Sequence, residues 1–123
     1  MKKIFHLSTC NTCQRIIGEL NTADEFELQD VKTTAITAEE LDAMYAQTGS
    51  YESLFNRRAR KYRAEGLHEQ TLEEQDYRRL ILGEYTFLKR PAVWIGDQLF
   101  VGNSKKVVAA AKTALQADRE TLD

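Results

Sequence analysis

The alternation of apolar and polar positions divides the first part of the chain into strand-like and helix-like segments. Short apolar runs at residues 2–7 and 26–28, each bounded by polar residues, predict two strands. Between them, Ile16 and Leu20 recur at helical spacing and predict a helix over residues 12–20. In such a strand–helix–strand unit we expect parallel strands and a right-handed crossover, which makes the loop after the first strand a natural place for a site.

The middle of the chain is predicted to be helical. Two capping boxes, each a threonine followed three residues later by a glutamate, start helices over residues 37–49 and 71–83. Both predicted helices end at a glycine, the residue that most often terminates a helix. Apolar and aromatic side chains at helical spacing predict a further helix over residues 51–63.

The last part of the chain predicts a hairpin and a final helix. Apolar runs at residues 92–95 and 99–101 flank Gly96-Asp97, which suits a tight turn between antiparallel strands. An asparagine–serine pair can cap the last helix, and we expect the charged tail after Gln116 to fray. The predicted order is a βαβ unit, a helical stretch and a ββα unit, which indicates an α/β fold with a mixed sheet.

Composition narrows the class of protein. With 123 residues, 42% of them hydrophobic, the chain is long enough for one core and too short for two, so we expect a single domain over residues 1–123. A net charge of −2 gives no general attraction to nucleic acid or to an anionic membrane. We find neither a signal-peptide pattern after Lys2-Lys3 nor an apolar segment of membrane-spanning length, and we expect a cytoplasmic protein.

The two cysteines carry the chemistry that the sequence points to. They form the motif Cys10-Asn11-Thr12-Cys13 where the first strand gives way to the first helix. There the first thiol meets unpaired helix N–H groups and the positive end of the helix dipole, which favour the thiolate. An isolated CxxC in an intracellular-looking chain is typical of redox cycling. His6 and His68 do not form the close second ligand pair of a zinc site, so we expect no bound metal.

Four segments of the chain are informative when they are taken together. They are Thr9-Cys10-Asn11-Thr12-Cys13, Leu54-Phe55-Asn56-Arg57-Arg58, Phe87-Leu88-Lys89-Arg90-Pro91-Ala92-Val93 and Leu99-Phe100-Val101-Gly102. In this order they resemble the arsenate reductase family, which includes glutaredoxin-coupled arsenate reductases, the Spx redox regulators of bacterial RNA polymerase and small relatives without a defined role. The resemblance implies a thioredoxin-like fold with a helical insertion, no bound cofactor and a cis-proline facing the CxxC motif, here Pro91.

The resemblance also assigns roles to single residues. Cys10 matches the catalytic cysteine, and Arg90 matches the arginine before the cis-proline that helps to bind the oxyanion. Arg58 matches the arginine of the middle helix, with Arg57 and Arg60 as neighbouring alternatives. Guanidinium groups stay charged and offer fork-like donors, so two of them near Cys10 suit an arsenate-like anion and lower the thiol pKa.

Further residues complete the predicted site. The helix-start N–H groups near Asn11 and Thr12 would close the anion cradle, and Pro91 would face it. Cys13 or glutathione would resolve the adduct on Cys10. His6 is either a hydrogen-bonded core or edge histidine or, if it faces the loop, an imidazolium that helps to hold the thiolate.

Two departures from the reductase pattern keep other functions open. The region after the last strand, Leu99-Phe100-Val101-Gly102, lacks a third arginine that the glutaredoxin-coupled enzymes have, and those enzymes usually lack a second cysteine at the place of Cys13. The leading prediction is a thiol oxidoreductase that acts on arsenate or a disulfide and is reduced by glutathione with glutaredoxin or by thioredoxin. The alternatives are an Spx-like regulator that binds RNA polymerase and a general thiol–disulfide exchange protein.

Overall fold

The computed structural model describes residues 1–121, which form two compact units. The first unit combines Met1–Thr34 with the described residues from Arg90 onwards, and the second is the intervening segment Ala35–Lys89. Both cysteines and the Arg90-Pro91 pair lie in the first unit. The arginine-rich segment 57–63 lies in the second.

Over residues 1–121 the fold has four strands and five α-helices. In chain order the elements are β1 (Lys2–His6), α1 (Asn11–Leu20), β2 (Glu27–Asp30), α2 (Ala38–Thr48), α3 (Arg60–Ala64), α4 (Glu74–Gly83), β3 (Ala92–Ile95), β4 (Gln98–Val101) and α5 (Lys105–Thr121). The sheet order is β2-β1-β3-β4; β1 is parallel to β2, and the pairs β1–β3 and β3–β4 are antiparallel, so the sheet is mixed as predicted.

The core of the first unit lies where α1 and α5 contribute apolar side chains to one face of the sheet. Successive residues of a strand point to opposite faces, so alternate positions of β1 and β3 supply the sheet's share of this core. Gly96, at φ 64°, makes the tight turn between β3 and β4 that the sequence predicts. The buried cluster consists of Ile4, Ile16, Leu20, Phe26, Val93, Ile95, Val108, Ala111 and Leu115.

Helix α5 extends further than its composition suggests. The sequence predicts fraying after Gln116, but the helix continues to Thr121. Arg119 donates from Nε to Glu25 at 2.8 Å, and Lys2 Nζ lies 2.8 Å from Glu25 and 2.9 Å from Asp118. These ion pairs join the last turns of α5 to the first strand and to the segment before β2, which explains why the charged tail stays helical.

In the second unit, α2 follows its predicted capping signal and α4 does not. Thr37 accepts from the N–H of Glu40 and its own N–H donates to the Glu40 side chain, while Gly49 ends the helix at φ 70°. The predicted start of α4 at Thr71 is wrong. The helix begins at Glu74, because Glu73 and Asp76 form the reciprocal capping box instead.

The predicted helix over residues 51–63 is also wrong. A short 3-10 turn, Glu52–Leu54, is followed by extended backbone at Phe55, which pairs with Leu88, and α3 starts only at Arg60. The ring of Phe55 is fully buried against the aromatic rings of Tyr62, Tyr77 and Phe87. This packing holds the chain extended where local spacing alone favours a helix.

Candidate active site

Cys10 occupies the position directly before helix α1. Its backbone is extended, at φ −94° and ψ 110°, and its N–H donates to the Leu7 carbonyl at 3.0 Å. Its carbonyl accepts the first helical bond, from Gln14 N–H at 3.1 Å. The side chain is half-buried, so the sulfur lies beside the free N–H groups of the first helical turn while remaining accessible to a reactant.

The surroundings of Cys10 favour its thiolate. Burial acts to raise the pKa of the Cys10 thiol, but the combined opposing interactions are stronger and the pKa is lowered. The N–H groups of Cys13 and Thr12 donate to the sulfur, the Cys13 thiol donates a further hydrogen bond, and the charge of Arg90 adds to them. Hydrogen bonds to the charged form and a nearby cation both lower a thiol pKa.

Cys13 has the opposite character. It is completely buried, and burial is the main reason that its pKa rises to about 11. The hydrogen bond that it gives to Cys10 and the negative charge of Cys10 raise the pKa further, while a backbone hydrogen bond with Leu7 and the charge of Arg90 act against the rise. The CxxC motif therefore presents one activated thiol and one thiol that stays protonated.

The sheet register brings Arg90 and Pro91 towards the same loop. Ala92 at the start of β3 pairs with Phe5 near the end of β1, so the Arg90-Pro91 pair lies at the end of the sheet from which the Cys10 loop leaves. The peptide bond between Arg90 and Pro91 is cis, as the resemblance implies. Arg90 is half-buried, and its charge reaches both thiols.

His6 is buried at the end of β1 and contacts Gln14 of α1. Its Nδ1 lies 3.3 Å from Gln14 Nε2, and Gln14 Nε2 also donates to the Leu7 carbonyl at 3.1 Å. Burial lowers the pKa of His6, with partial opposition from the charge of Asp30. This disfavours the imidazolium form considered from the sequence and supports a hydrogen-bonded neutral histidine.

Two predicted residues of the loop differ in their placement. Thr12 is half-buried and supplies one of the N–H groups that reach the Cys10 sulfur. Asn11, the first residue of α1, is exposed. Thr12 thus belongs to the cradle through its backbone.

Sequence reasoning missed a residue that holds the loop before Cys10. The Asp30 carboxylate accepts hydrogen bonds from the side chain and backbone of Ser8, and from Lys32 N–H at 3.1 Å, and these lower the pKa of Asp30. Asp30 is the register partner of His6 in the parallel pair β1–β2. The sequence signal that could have predicted this hydrogen bond is a serine just after one strand and an aspartate at the end of the neighbouring parallel strand.

The three candidate arginines of the second unit, Arg57, Arg58 and Arg60, differ from one another in their contacts. Arg57 forms an ion pair with Glu52, donates to the Tyr77 hydroxyl at 3.0 Å and lies over the Tyr77 ring. Arg58 and Arg60 are exposed, and the Arg58 N–H donates to the Asn56 side chain at 3.1 Å. The substrate-binding role implied for Arg58 stays a prediction, and the contacts of Arg57 are those of a structural residue.

Metal-ligand clusters and membrane-spanning helices are absent from the described part of the chain. Over residues 1–121, no three histidine, cysteine or carboxylate side chains come together as metal ligands. None of the helices in that part of the chain combines the length and the apolar character needed to cross a bilayer.

The mixed sheet and the cis peptide bond before Pro91 define a thioredoxin-like fold, which here presents a CxxC motif with one half-buried and one buried cysteine. More specifically, the chain belongs to the ArsC family, whose model matches residues 5–111. The family is one of thiol-dependent reductases and related proteins. A comparison with curated proteins finds no match.

Solved structures have the same fold. An arsenate reductase from Vibrio cholerae is 18% identical with a TM-score of 0.76, and the match covers 89% of this chain and 96% of that one. An arsenate reductase related protein from Brucella melitensis is 23% identical with a TM-score of 0.68, covering 89% and 92%. The protein SACOL0876 from Staphylococcus aureus COL is 26% identical with a TM-score of 0.73, covering 89% and 97%.

Proposed function

We propose that this chain is a thiol-dependent reductase in which Cys10 attacks an oxidised substrate, arsenate or a disulfide, and Cys13 resolves the adduct. One observation carries the proposal: Cys10 is half-buried at the start of α1, Cys13 is fully buried one helical turn later, and their thiol pKa values are shifted in opposite directions. A nucleophile must be ionised near neutral pH, whereas a resolving thiol should stay protonated until the adduct has formed.

In the first step the Cys10 thiolate attacks the arsenic of arsenate. A sulfur–arsenic bond forms, an oxygen leaves as water after protonation, and arsenic remains As(V). The cation of Arg90 and the N–H groups of Thr12 and Cys13 support this step, because they suit an oxyanion as well as they suit the thiolate. With a disulfide as substrate, the thiolate instead forms a mixed disulfide and releases the other sulfur as a thiolate.

The second step uses Cys13. Once the Cys10 sulfur is covalently bonded to the substrate, its negative charge is gone. This removes the charge of Cys10 and weakens the hydrogen bond between the two thiols, both of which raise the Cys13 pKa. Cys13 then loses its proton and attacks the Cys10 sulfur. The Cys10–Cys13 disulfide forms, and the two electrons of the broken bond leave with the product, as arsenite from the arsenate adduct or as a thiolate from the mixed disulfide.

An external thiol must then reduce the Cys10–Cys13 disulfide. Glutathione with glutaredoxin and thioredoxin with its reductase are the two reductant classes that we propose. If glutathione resolves the Cys10 adduct directly, Cys13 is dispensable in the glutathione-coupled reaction. A comparison of the glutathione-coupled and thioredoxin-coupled reactions therefore distinguishes resolution by glutathione from resolution by Cys13.

The test is substrate-dependent NADPH oxidation by the purified protein, run separately with glutathione, glutaredoxin and glutathione reductase and with thioredoxin and its reductase. The rate of a blank without the protein is subtracted in each case. Arsenate and a small disulfide are the two substrates. We expect turnover that is lost in Cys10→Ser, and thioredoxin-coupled turnover that is also lost in Cys13→Ser. Turnover that survives in Cys10→Ser would contradict the mechanism.

Absence of turnover with both substrates and both couples would contradict the enzymatic proposal. If the Cys10–Cys13 disulfide still formed and reopened reversibly, the remaining function would be redox regulation. A purification of bacterial RNA polymerase on the immobilised reduced and oxidised protein would then test for an Spx-like regulator.

A further inference from the structure

We propose that Gln14 is a positioning residue for the thiol loop: its side-chain amide fixes the Leu7 peptide and holds His6 as the neutral tautomer protonated on Nε2. The proposal rests on the function proposed above, in which the Cys10 thiolate is the nucleophile. The side-chain amide of Gln14 contacts His6 and the Leu7 carbonyl, and it acts on the thiols through the backbone between β1 and α1.

The Leu7 carbonyl determines which way the Gln14 amide faces. A carbonyl oxygen only accepts hydrogen bonds, so the Gln14 atom that lies 3.1 Å from it is the donor nitrogen Nε2. The same nitrogen has a second hydrogen and lies 3.3 Å from Nδ1 of His6. Nδ1 is therefore the acceptor, and the proton of the neutral imidazole is on Nε2.

The surroundings of His6 agree with a neutral ring. The side chain is buried, which disfavours charge, and Asp30 on β2 is the charged group that acts in the opposite direction. Protonation at Nδ1 would set a hydrogen against the amide hydrogens of Gln14. Turning the amide round to relieve this would set its oxygen against the Leu7 carbonyl, so either arrangement loses a hydrogen bond.

The Leu7 peptide links this arrangement to the thiols. Its carbonyl also accepts the Cys10 N–H at 3.0 Å, and Leu7 makes a backbone hydrogen bond with the Cys13 thiol. Helical side chains lean towards the helix N-terminus, so Gln14, although exposed, reaches back over the first turn of α1 to this peptide. Without the Gln14 amide, the Leu7 carbonyl keeps only the hydrogen bond from Cys10 N–H. The N–H groups of Thr12 and Cys13, which stabilise the Cys10 thiolate, are then held less firmly.

Two measurements test the proposal without any substrate. The first is nitrogen NMR of His6 in the unchanged protein, where we expect a proton on Nε2 and an unprotonated Nδ1 that accepts a hydrogen bond. The second is the pH profile of Cys10 alkylation by iodoacetamide in Gln14→Leu. We expect the profile to move to higher pH and the rate at neutral pH to fall about threefold, the size of one modest hydrogen bond.

Gln116→Leu is the matched control, because it makes the same chemical change on an exposed position of α5 whose amide has only a 3.5 Å contact with Glu120. Its profile should superpose on that of the unchanged protein. A proton on Nδ1 of His6, or an unchanged alkylation profile in folded Gln14→Leu, would overturn the proposal. Both readouts concern the free protein, so they stand whether or not arsenate or a disulfide is turned over.

Discussion

Replacing Cys10 by alanine should lower the pKa of Cys13. In the unchanged protein that pKa is about 11, for which burial is the largest cause, followed among the raising influences by the hydrogen bond to Cys10 and the charge of Cys10. The substitution removes the last two and leaves burial and the cation of Arg90 in place. We therefore expect a value between that of an ordinary thiol and 11.

The size of the effect follows from the ionised fraction. At pH 8, which lies three pH units below 11, about one Cys13 side chain in a thousand is ionised in the unchanged protein. Each unit by which the pKa falls multiplies that fraction by about ten, and the alkylation rate rises by a smaller factor because a less basic thiolate is a weaker nucleophile. Even a fall of half a unit would raise the ionised fraction about threefold.

The assay is an ultraviolet titration of the thiolate, supported by alkylation with mass-spectrometric assignment of the labelled cysteine. Cys13→Ala is the reciprocal variant: Cys10 loses the hydrogen bond from the Cys13 thiol, so its pKa should rise. A Cys13 pKa that stays at about 11 in folded Cys10→Ala would refute the coupling. It would also remove the reason for delayed activation of Cys13 in the proposed mechanism.

Three further predictions concern stability, measured by urea denaturation. Thr37→Ala should cost about 1 kcal/mol, because it removes the cap of α2, and Thr37→Ser should retain most of it. Arg57→Ala should cost about 1 kcal/mol, because the hydrogen bond to the Tyr77 hydroxyl is lost and the exposed ion pair with Glu52 adds little. Arg58→Ala, at an exposed position, should leave the free energy of unfolding nearly unchanged. Equal losses in the two variants would contradict the structural role of Arg57. The free energy of unfolding should decline as the pH rises from the ordinary thiol pKa towards 11, because Cys13 ionises at lower pH in the unfolded chain than in the folded one. Cys13→Ala should reduce this decline.

Local signals predicted the parts of the fold that local interactions determine. The hairpin turns at Gly96, and the capping box of Thr37 starts α2, as the sequence indicates. Both features depend on residues only a few positions apart, so they can be read from short stretches. The same logic failed at residues 51–63, where a fully buried phenylalanine packs against distant rings and holds the backbone extended.

Contacts between distant segments explain the other differences. Arg119 reaches Glu25, 94 positions earlier in the chain, and this pairing keeps the end of α5 helical. Asp30 holds Ser8 because β2 lies beside β1, and Gln14 reaches His6 because α1 packs back over the strand that precedes it. Composition and spacing carry no information about such partners until the topology is known.

The sequence contains part of the information that makes the two thiols differ in pKa. Cys13, Ile16 and Leu20 are three and four positions apart, which is the spacing of one helix face, and all three are buried in the structure. A cysteine on that face should be a poor acid, while one at the start of the helix should be a good one. What the spacing could not supply is Arg90, which reaches both thiols only because β3 pairs antiparallel with β1. The activation of Cys10 therefore depends on the tertiary fold as well as on the CxxC motif.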